Sequence, residues 1–262
     1  MLIHHGFPQQ ILTILRWAMG WIGAYDLTGD AKYLNTARDI FEDMTTGWNT
    51  PCNGGIWWDK KHVSIASISN ELFLVVGASL ANRVAASDRD HYLNWAQMEW
   101  DWFYNSGVIN EDGLVNDGID QTSCKNDGKT TFTYNQGVVL AGLSELSRAR
   151  GDGGYIGHAY DIANAAINQL TKNGILTEPV GGDLDKQGAQ FKGVFVRGLS
   201  TLNGNKRDEN FASFLQRNAE SAWAQEKLDG GIIPDRWQGG SRSSNAASHA
   251  AGIDVLVAAA TA

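Results

Sequence analysis

The sequence is poor in proline, cysteine and positive charge, and each shortage excludes a class of protein. Of its 262 residues, 4 are proline and 2 are cysteine, so a proline-rich linker protein and a disulfide-stapled scaffold are excluded. Lys and Arg number 21 against 29 Asp and Glu, and the net charge of −8 argues against nucleic acid as a partner. No apolar run approaches the roughly 18 residues of a membrane span, so no membrane span is predicted.

The two cysteines, Cys52 and Cys124, leave two alternatives open. They lie neither in a Cys-x-x-Cys pair nor in a Cys/His cluster, so no zinc site is predicted. They either remain free or form one bridge, which would close a loop of roughly 70 residues and stabilise the fold by about 4 kcal/mol in the chain-entropy model. The N-terminal residues lack a basic region, an apolar stretch and a small-residue cleavage site, so no signal peptide is predicted in this chain.

Helical periodicity dominates what is present, and strand signals are scarce. Five segments are apolar nearly all round and are predicted to be buried inner helices: 10–26, 66–86, 132–149, 190–203 and 244–260. Four segments are amphipathic and are predicted to be outer helices: 30–46, 89–106, 154–172 and 205–226. This repeat of helical hairpins predicts an all-α toroid that forms a single domain over 1–262, with an atypical segment at 1–16.

The loops predict where a ligand would bind. Long loops rich in glycine and aromatic residues follow the outer helices at 47–64, 107–131 and 174–189, whereas the loops after inner helices are short. In a toroid this arrangement places the long loops and the N-termini of the inner helices at one end. A rigid scaffold that carries such loops is the usual setting for a binding site, so we expect one end of the ring to be the binding face.

Polar groups at the starts of the inner helices, together with aromatic residues, form the candidate site. Sugars need bidentate polar partners and flat apolar faces, which amide, charged and aromatic side chains supply. The predicted sugar-binding residues are Trp57, Trp58, Asn70, Glu71, Asp117, Tyr134, Asn135, Gln136, Phe191, Lys192 and Arg197.

Each of these residues also has a structural interpretation. The polar residues at helix starts are ordinary capping residues, Asp117 lies in a turn sequence, and one tryptophan of the Trp57–Trp58 pair is expected in the core. Gly54 and Gly55 are expected to let the backbone approach a ligand closely. A further set of tryptophans at helical spacing is expected in the core: Trp17, Trp21, Trp95, Trp100 and Trp102.

Other chemistries find no support in the sequence. It contains no Gly-x-Ser-x-Gly nucleophile motif, no glycine-rich phosphate loop, no His-Glu-x-x-His pair and no calcium loop. The six histidines have no ligand spacing. We therefore predict no metal and no cofactor, and we expect the protein to be a monomer.

Several motifs together resemble glycoside hydrolase family 76, in order and spacing, from about residue 17 to the C-terminus. They are Trp17–Asp30, the Gly54–Trp58 loop, Ile68–Phe73, Val115–Gly118, Thr133–Gly137 and Gln190–Arg197. The resemblance implies an (α/α)6 barrel, endo-acting retaining hydrolysis of α-1,6-mannan such as a fungal wall backbone, and an extracellular or cell-wall setting. It also implies a pair of adjacent catalytic aspartates just before the first matching helix.

The sequence departs from the family pattern at its beginning. Residues 9–16 read QQILTILR, and residues 1–25 contain no Asp or Glu, so the expected pair is absent and the catalytic residues are unknown. Ala66 and Ser67 stand where the family tends to carry Lys-Asn, which affects part of the expected sugar contacts. An (α/α)6 barrel has twelve helices, and the sequence predicts about nine, so we expect an incomplete toroid.

Three hypotheses follow for the function. The chain is a mannanase that lacks its N-terminal part and is inactive, a non-catalytic homologue that binds mannan, or an α-helical interaction scaffold. The similarity stops abruptly before Trp17 while the later motifs remain nearly complete, and this pattern favours the first hypothesis.

Overall fold

A computed structural model describes residues 11–181, 184–225, 231–240 and 243–262, with side chains from residue 16 onward. Most of the segment predicted to be atypical, 1–16, therefore lies outside the described side chains. The described residues form two compact units. The prediction of a single domain over 1–262 stays a prediction.

Nine α-helices account for most of the described residues, and their boundaries follow the predicted ones closely. They are α1 (Ile11–Thr28), α2 (Ala31–Thr45), α3 (Ser67–Ala81), α4 (Ala86–Asn105), α5 (Thr133–Arg150), α6 (Gly154–Gln169), α7 (Phe191–Asn205), α8 (Glu209–Ala224) and α9 (Ala246–Ala260). A 3-10 helix at Gly188–Gln190 and five short strands are also present: β1 (Ile65–Ala66), β2 (Gly118–Asp120), β3 (Lys125–Asn126), β4 (Thr171–Lys172) and β5 (Ile175–Leu176). The predictions of an all-α chain with little sheet are confirmed.

Aspartates in the short turns start several of the helices. Asp30 accepts a hydrogen bond from the backbone N–H of Lys32 at the start of α2, and Asp208 accepts one from Asn210 at the start of α8. Such N-caps satisfy donors that have no partner within the helix. Asp88 instead lies inside the first turn of α4, because that helix begins at Ala86.

The first unit contains α1 to α4, the sheet β1–β2–β3 and the C-terminal end of α5. All residues of α3 are buried, which agrees with the apolar character of this segment, and α3 packs against α1, α2 and α4. The ring of Tyr33 on α2 stacks on Trp21 of α1, with 5.5 Å between centroids. Tyr33, in the first turn of α2, thus packs back on the preceding helix.

The sheet and a disulfide bond join two long loops of the first unit. Strand β2 pairs antiparallel with β1 and β3, with Ile119 opposite Ile65 and Asn126. Cys52 and Cys124 form a disulfide with a sequence separation of 72 residues. The structure therefore decides between the alternatives that the sequence left open for the cysteines.

The second unit contains the start of α5, nearly all of α6, the β4–β5 hairpin and α7 to α9. Helix α5 crosses α7 at two glycines, Gly137 and Gly198, whose missing side chains allow backbone to touch backbone. A Cβ atom on Gly137 would lie 2.8 Å from the backbone nitrogen of Phe195. Helix α9 packs against α7 and α8.

Some apolar side chains of α1 and α9 are exposed. Trp17 on α1 is 54% exposed, so the prediction that it lies in the core is wrong. Ile253 and Val257 on α9 are 43% and 57% exposed, and they lie one turn apart on the same side of the helix. An apolar helix is buried on every side only where other elements cover it. Within each unit, the described elements leave the sides of α1 and α9 that carry these residues uncovered. Within the described ranges, no helix is both long and apolar enough to cross a membrane.

Candidate functional site

Asn70, in the first turns of α3, holds the Gly54–Trp58 loop in the first unit. Its Oδ1 accepts a hydrogen bond from the backbone N–H of Ile56 at 2.8 Å, and its Nδ2 donates to the carbonyl oxygens of Ile56 at 3.3 Å and Ala66 at 2.9 Å. The side chain is buried. Asn70 therefore clamps the loop backbone, and its amide atoms are engaged within the protein.

Gly54 and Gly55 make room for a tryptophan ring. A Cβ on Gly54 would lie 2.7 Å from the ring of Trp102, and one on Gly55 would lie 2.5 Å from the same ring. Both glycines also have positive φ angles, of 147° and 75°. The expectation that these glycines admit a ligand is therefore corrected: the group that approaches them closely is Trp102, which also donates a hydrogen bond to the carbonyl of Cys52 at 2.9 Å.

The two adjacent tryptophans of this loop have different environments. Trp57 is buried, donates from Nε1 to Asn49 Oδ1 at 2.8 Å and stacks on His62 with 4.7 Å between centroids. Trp58 is partly exposed. Trp58 is consequently the member of the pair whose ring remains available as a platform for a ligand.

Glu71 follows Asn70 and is fully buried, and neither of its carboxyl oxygens has a hydrogen-bond partner in the part of the chain that the structure describes. Burial raises its pKa well above the ordinary 4.5, and the nearby charges of Asp117 and Glu99 act in the same direction. Asp117 is partly exposed and lies at the start of α3, where its carbonyl accepts a hydrogen bond from the N–H of Ser67 at 2.9 Å. Glu99 on α4 is likewise buried, and its carboxyl oxygens accept no hydrogen bond from any described residue. Burial raises its pKa well above 4.5. Burial therefore favours the neutral form of the Glu71 carboxyl at pH values where an exposed glutamate is already ionised.

We predict that Glu71→Gln stabilises the protein increasingly as the pH rises above about 4.5. The folded state keeps the Glu71 proton above this pH while the unfolded state releases it, so the wild type loses up to about 1.4 kcal/mol of stability per pH unit until the folded carboxyl ionises. Glutamine has the same shape and does not ionise. Urea unfolding over a pH series would measure the difference, which should vanish in acid. If the free energies of unfolding of the two proteins changed with pH in the same way, the folded state would not retain the Glu71 proton.

In the second unit, Gln136 repeats the clamp made by Asn70. Its Oε1 accepts from the N–H of Val115 at 2.8 Å, and its Nε2 donates to the carbonyls of Val115 at 2.8 Å and Phe132 at 3.0 Å. Asn135, beside it, is fully buried, and its amide atoms have no hydrogen-bond partner among the described residues. A buried amide without partners is costly, and its usual explanation is a water or ligand that satisfies it.

Three aromatic rings meet at the starts of α5 and α7, and we call them the aromatic trio: Phe132, Tyr134 and Phe191. The Tyr134 and Phe191 centroids are 4.4 Å apart, Phe132 and Phe191 are 5.4 Å apart, and Phe132 stacks on Tyr134 at 5.6 Å. Phe132 and Phe191 are partly exposed and Tyr134 is buried. The trio forms an apolar surface of the kind on which a sugar ring can stack.

Lys192 and Arg197 on α7 have opposite environments. Lys192 is buried; it donates to the carbonyl of Asp235, and its Nζ lies 4.8 Å from the ring centroid of Trp237. Arg197 is exposed and pairs with Asp254 on α9. Of the two cations, only Arg197 reaches solvent, while Lys192 makes its contacts in the interior of the second unit.

Glu178 lies at the start of α5, and the sequence did not indicate that it would. It accepts hydrogen bonds from the backbone N–H of Thr133 at 3.2 Å and from the Thr133 hydroxyl, at the start of α5. Its partner lies 45 residues earlier in the chain. No local pattern in the 174–189 loop could have indicated this contact.

The structure thus gathers the predicted residues into two groups. Trp57, Trp58, Asn70, Glu71 and Asp117 lie in the first unit, at the start of α3 and its adjoining loop. Tyr134, Asn135, Gln136, Phe191, Lys192 and Arg197 lie in the second unit, on the first turns of α5 and α7. Among the described residues, no group of three or more His, Cys, Asp or Glu side chains is placed to hold a metal ion. Sugar contact by these residues stays a prediction.

A family model described as glycosyl hydrolase family 76 matches residues 14–260. Two curated relatives are the mannan endo-1,6-alpha-mannosidases DCW1 of Candida albicans and DFG5 of Saccharomyces cerevisiae. The first is 34% identical over 44% of this chain and 26% of its own length, and the second is 26% identical over 79% and 49%. The chain spans about half the length of these relatives or less.

A solved structure with a similar fold is an inactive variant of the α-1,6-mannanase GH76A of Salegentibacter sp. HEL1_6, in complex with α-1,6-mannotriose. It is 25% identical, with a TM-score of 0.83 over 97% of this chain and 76% of that one. The likeness confirms the predicted fold class, the α/α toroid. That variant carries asparagine in place of two consecutive aspartates. By contrast, the 262 residues of the present sequence contain no two consecutive aspartates.

Proposed function

Since the chain belongs to glycoside hydrolase family 76, we propose that it binds α-1,6-linked mannan and that these 262 residues do not hydrolyse it. The binding part of the proposal rests on the solved relative that holds α-1,6-mannotriose and on the family motifs, which extend over most of this chain. Within the chain, the partly exposed Trp58 and the aromatic trio are the surfaces suited to sugar rings.

The absence of paired aspartates carries the proposal that the chain does not hydrolyse mannan. Retaining hydrolysis needs one ionised carboxylate as nucleophile and a second carboxyl group as acid, about 5 Å apart. The relative in complex with mannotriose is inactive when its two consecutive aspartates are replaced, and this sequence has no such pair. Glu71 is poorly suited to the role of nucleophile, because burial raises its pKa well above 4.5 and so favours the protonated carboxyl.

An extracellular or cell-wall setting fits this proposal. The Cys52–Cys124 disulfide is of the type that persists in oxidising compartments. Mannan endo-mannosidases of fungi are among the relatives, and a wall polymer would be met in that setting.

We expect the purified protein to bind α-1,6-mannotriose and to release no product from α-1,6-mannan. Calorimetric titration and chromatography of the reaction mixture would measure the two properties, with the Salegentibacter mannanase as the positive control for hydrolysis. Trp58→Ala should weaken binding about tenfold, since the loss of one stacked ring costs about 1.4 kcal/mol.

Trp223→Ala is the matched control, because Trp223 is 60% exposed on α8 and lies outside the candidate residues. It should leave the affinity unchanged. Product formation that persists through repeated purification would contradict the proposed lack of hydrolysis. A folded protein without any response to mannotriose would contradict the proposed binding.

A further inference from the structure

Glu178 fixes the position where α5 begins. Its carboxylate accepts two hydrogen bonds from Thr133, one from the backbone N–H and one from the side-chain hydroxyl. A carboxylate at a helix N-terminus satisfies an orphan donor and also interacts favourably with the helix dipole. Because this carboxylate comes from the 174–189 loop, it ties that loop to the first residue of α5.

Lys192 fixes the start of α7 in a comparable way. Its ammonium group is buried, donates to the carbonyl of Asp235 and lies over the Trp237 ring. These contacts join the first turn of α7 to the 231–240 segment. Charged groups are rarely buried without such partners, and the ammonium also experiences the negative charges of Glu178 and Asp235.

Both residues are linked to the aromatic trio, Lys192 as a chain neighbour and Glu178 through the residue that it holds. Thr133, which Glu178 holds, lies between Phe132 and Tyr134, and Lys192 directly follows Phe191. The Tyr134 and Phe191 rings are the closest pair of the trio. A shift in the start of either helix would therefore change the shape of the trio.

The charges of the two residues change near neutral pH. Burial raises the pKa of Glu178 to about 7, against the opposing hydrogen bonds from Thr133 and the charge of Lys192. Burial lowers the pKa of Lys192 to about 8; the charges of Glu178 and Asp235 oppose this shift, and that of Arg236 adds to it. Below about pH 7 the carboxyl gains a proton and loses its charge, and above about pH 8 the ammonium loses its proton. Both groups are charged only between these limits.

We propose that Glu178 and Lys192 are positioning residues that hold the aromatic trio in its glycan-binding shape, so that glycan affinity is greatest near neutral pH and falls on either side. The proposal rests on the proposed function, since it concerns the same glycan. It adds that these two residues act on the affinity by positioning the rings of the trio.

The test compares the pH profiles of α-1,6-mannotriose affinity for the wild type and three variants, all checked for folding by circular dichroism. Glu178→Gln keeps an acceptor oxygen for Thr133 and removes the charge, and Lys192→Met keeps the length of the side chain and removes the ammonium. Glu209→Gln is the matched control, because Glu209 is exposed and pairs with Arg207 at 2.8 Å, away from the trio.

The wild type and Glu209→Gln should show a bell-shaped profile, with affinity falling about tenfold, which corresponds to 1.4 kcal/mol, on each side of the maximum. Glu178→Gln should lose the acid limb and Lys192→Met the alkaline limb. A merely structural role would lower stability and leave the shape of the profile unchanged. A wild-type profile in Glu178→Gln would overturn the positioning role, whereas a wild type that binds no mannotriose at any pH would overturn the proposed function itself.

A second measurement needs no variant. If the trio and Glu178 are coupled, mannotriose must shift the titration of the Glu178 carboxyl carbon, as followed by NMR, because linkage is reciprocal. We expect saturating mannotriose to lower the apparent pKa of Glu178, since the bound state favours the charged carboxylate. A carboxyl titration that is identical with and without bound mannotriose would also overturn the proposal.

Discussion

Replacement of both Cys52 and Cys124 by serine should lower the free energy of unfolding by about 4 kcal/mol. The bridge closes a loop of 72 residues, and its loss returns to the unfolded chain the conformational freedom that the bridge removes. The cost should be confined largely to the first unit, because both cysteines lie in its loops and the carbonyl of Cys52 holds Trp102. This is a large fraction of the stability of an ordinary domain.

Chemical unfolding followed by tryptophan fluorescence would measure the change. The wild type in reducing agent should behave as the double serine variant does, and reducing agent should have no effect on that variant. A loss below about 1 kcal/mol in both comparisons would show that the unfolded state is not constrained as the chain-entropy model assumes.

Gly198→Ala should destabilise the protein by about 3 kcal/mol, at the upper end of the usual cost of overpacking. A Cβ on Gly198 would lie 3.0 Å from Gly137 Cα and still closer to the Gly137 carbonyl, so α5 and α7 would have to move apart. The obstacle is backbone, which cannot swing away as the end of a flexible side chain can. The effect should therefore exceed that of most single substitutions.

The same helix provides a matched control. Gly204 has nothing within 4 Å of its Cβ position, so Gly204→Ala should be neutral or stabilise by about 0.5–1 kcal/mol through helix propensity. Thermal unfolding of the two variants side by side would measure the contrast. Equal behaviour of Gly198→Ala and Gly204→Ala would mean that α5 and α7 do not cross at these glycines.

The helices could be predicted because their signals are local. The start of α8 after Asp208 and the full burial of α3 follow from a capping residue and an apolar run that lie within the segments themselves. The exposure of Trp17 could not be predicted in this way, since burial depends on what packs against a helix and its own sequence does not state this.

The polar residues at the helix starts could be predicted, whereas their hydrogen-bond partners could not. Asn70 and Gln136 were identified as polar groups at helix starts, and the sequence could not tell that each amide would hold a loop backbone. Glu178 gave no signal because its partner, Thr133, is distant in the chain. Residue type and spacing therefore identify which side chains occupy the helix starts, while their partners are set by tertiary contacts.

The amide clamps bear on how this fold tolerates change in its loops. In each clamp a side-chain amide oxygen accepts a hydrogen bond from a backbone N–H. Asn70 accepts from Ile56, Gln136 from Val115, and Asn218 on α8 from Leu176, each at 2.8 Å. A loop that is anchored at one backbone residue by a helix side chain can lengthen or shorten on either side of that anchor at little entropic cost, and the helix stays in place. The same scaffold can therefore carry loops of different length and sequence without a new core.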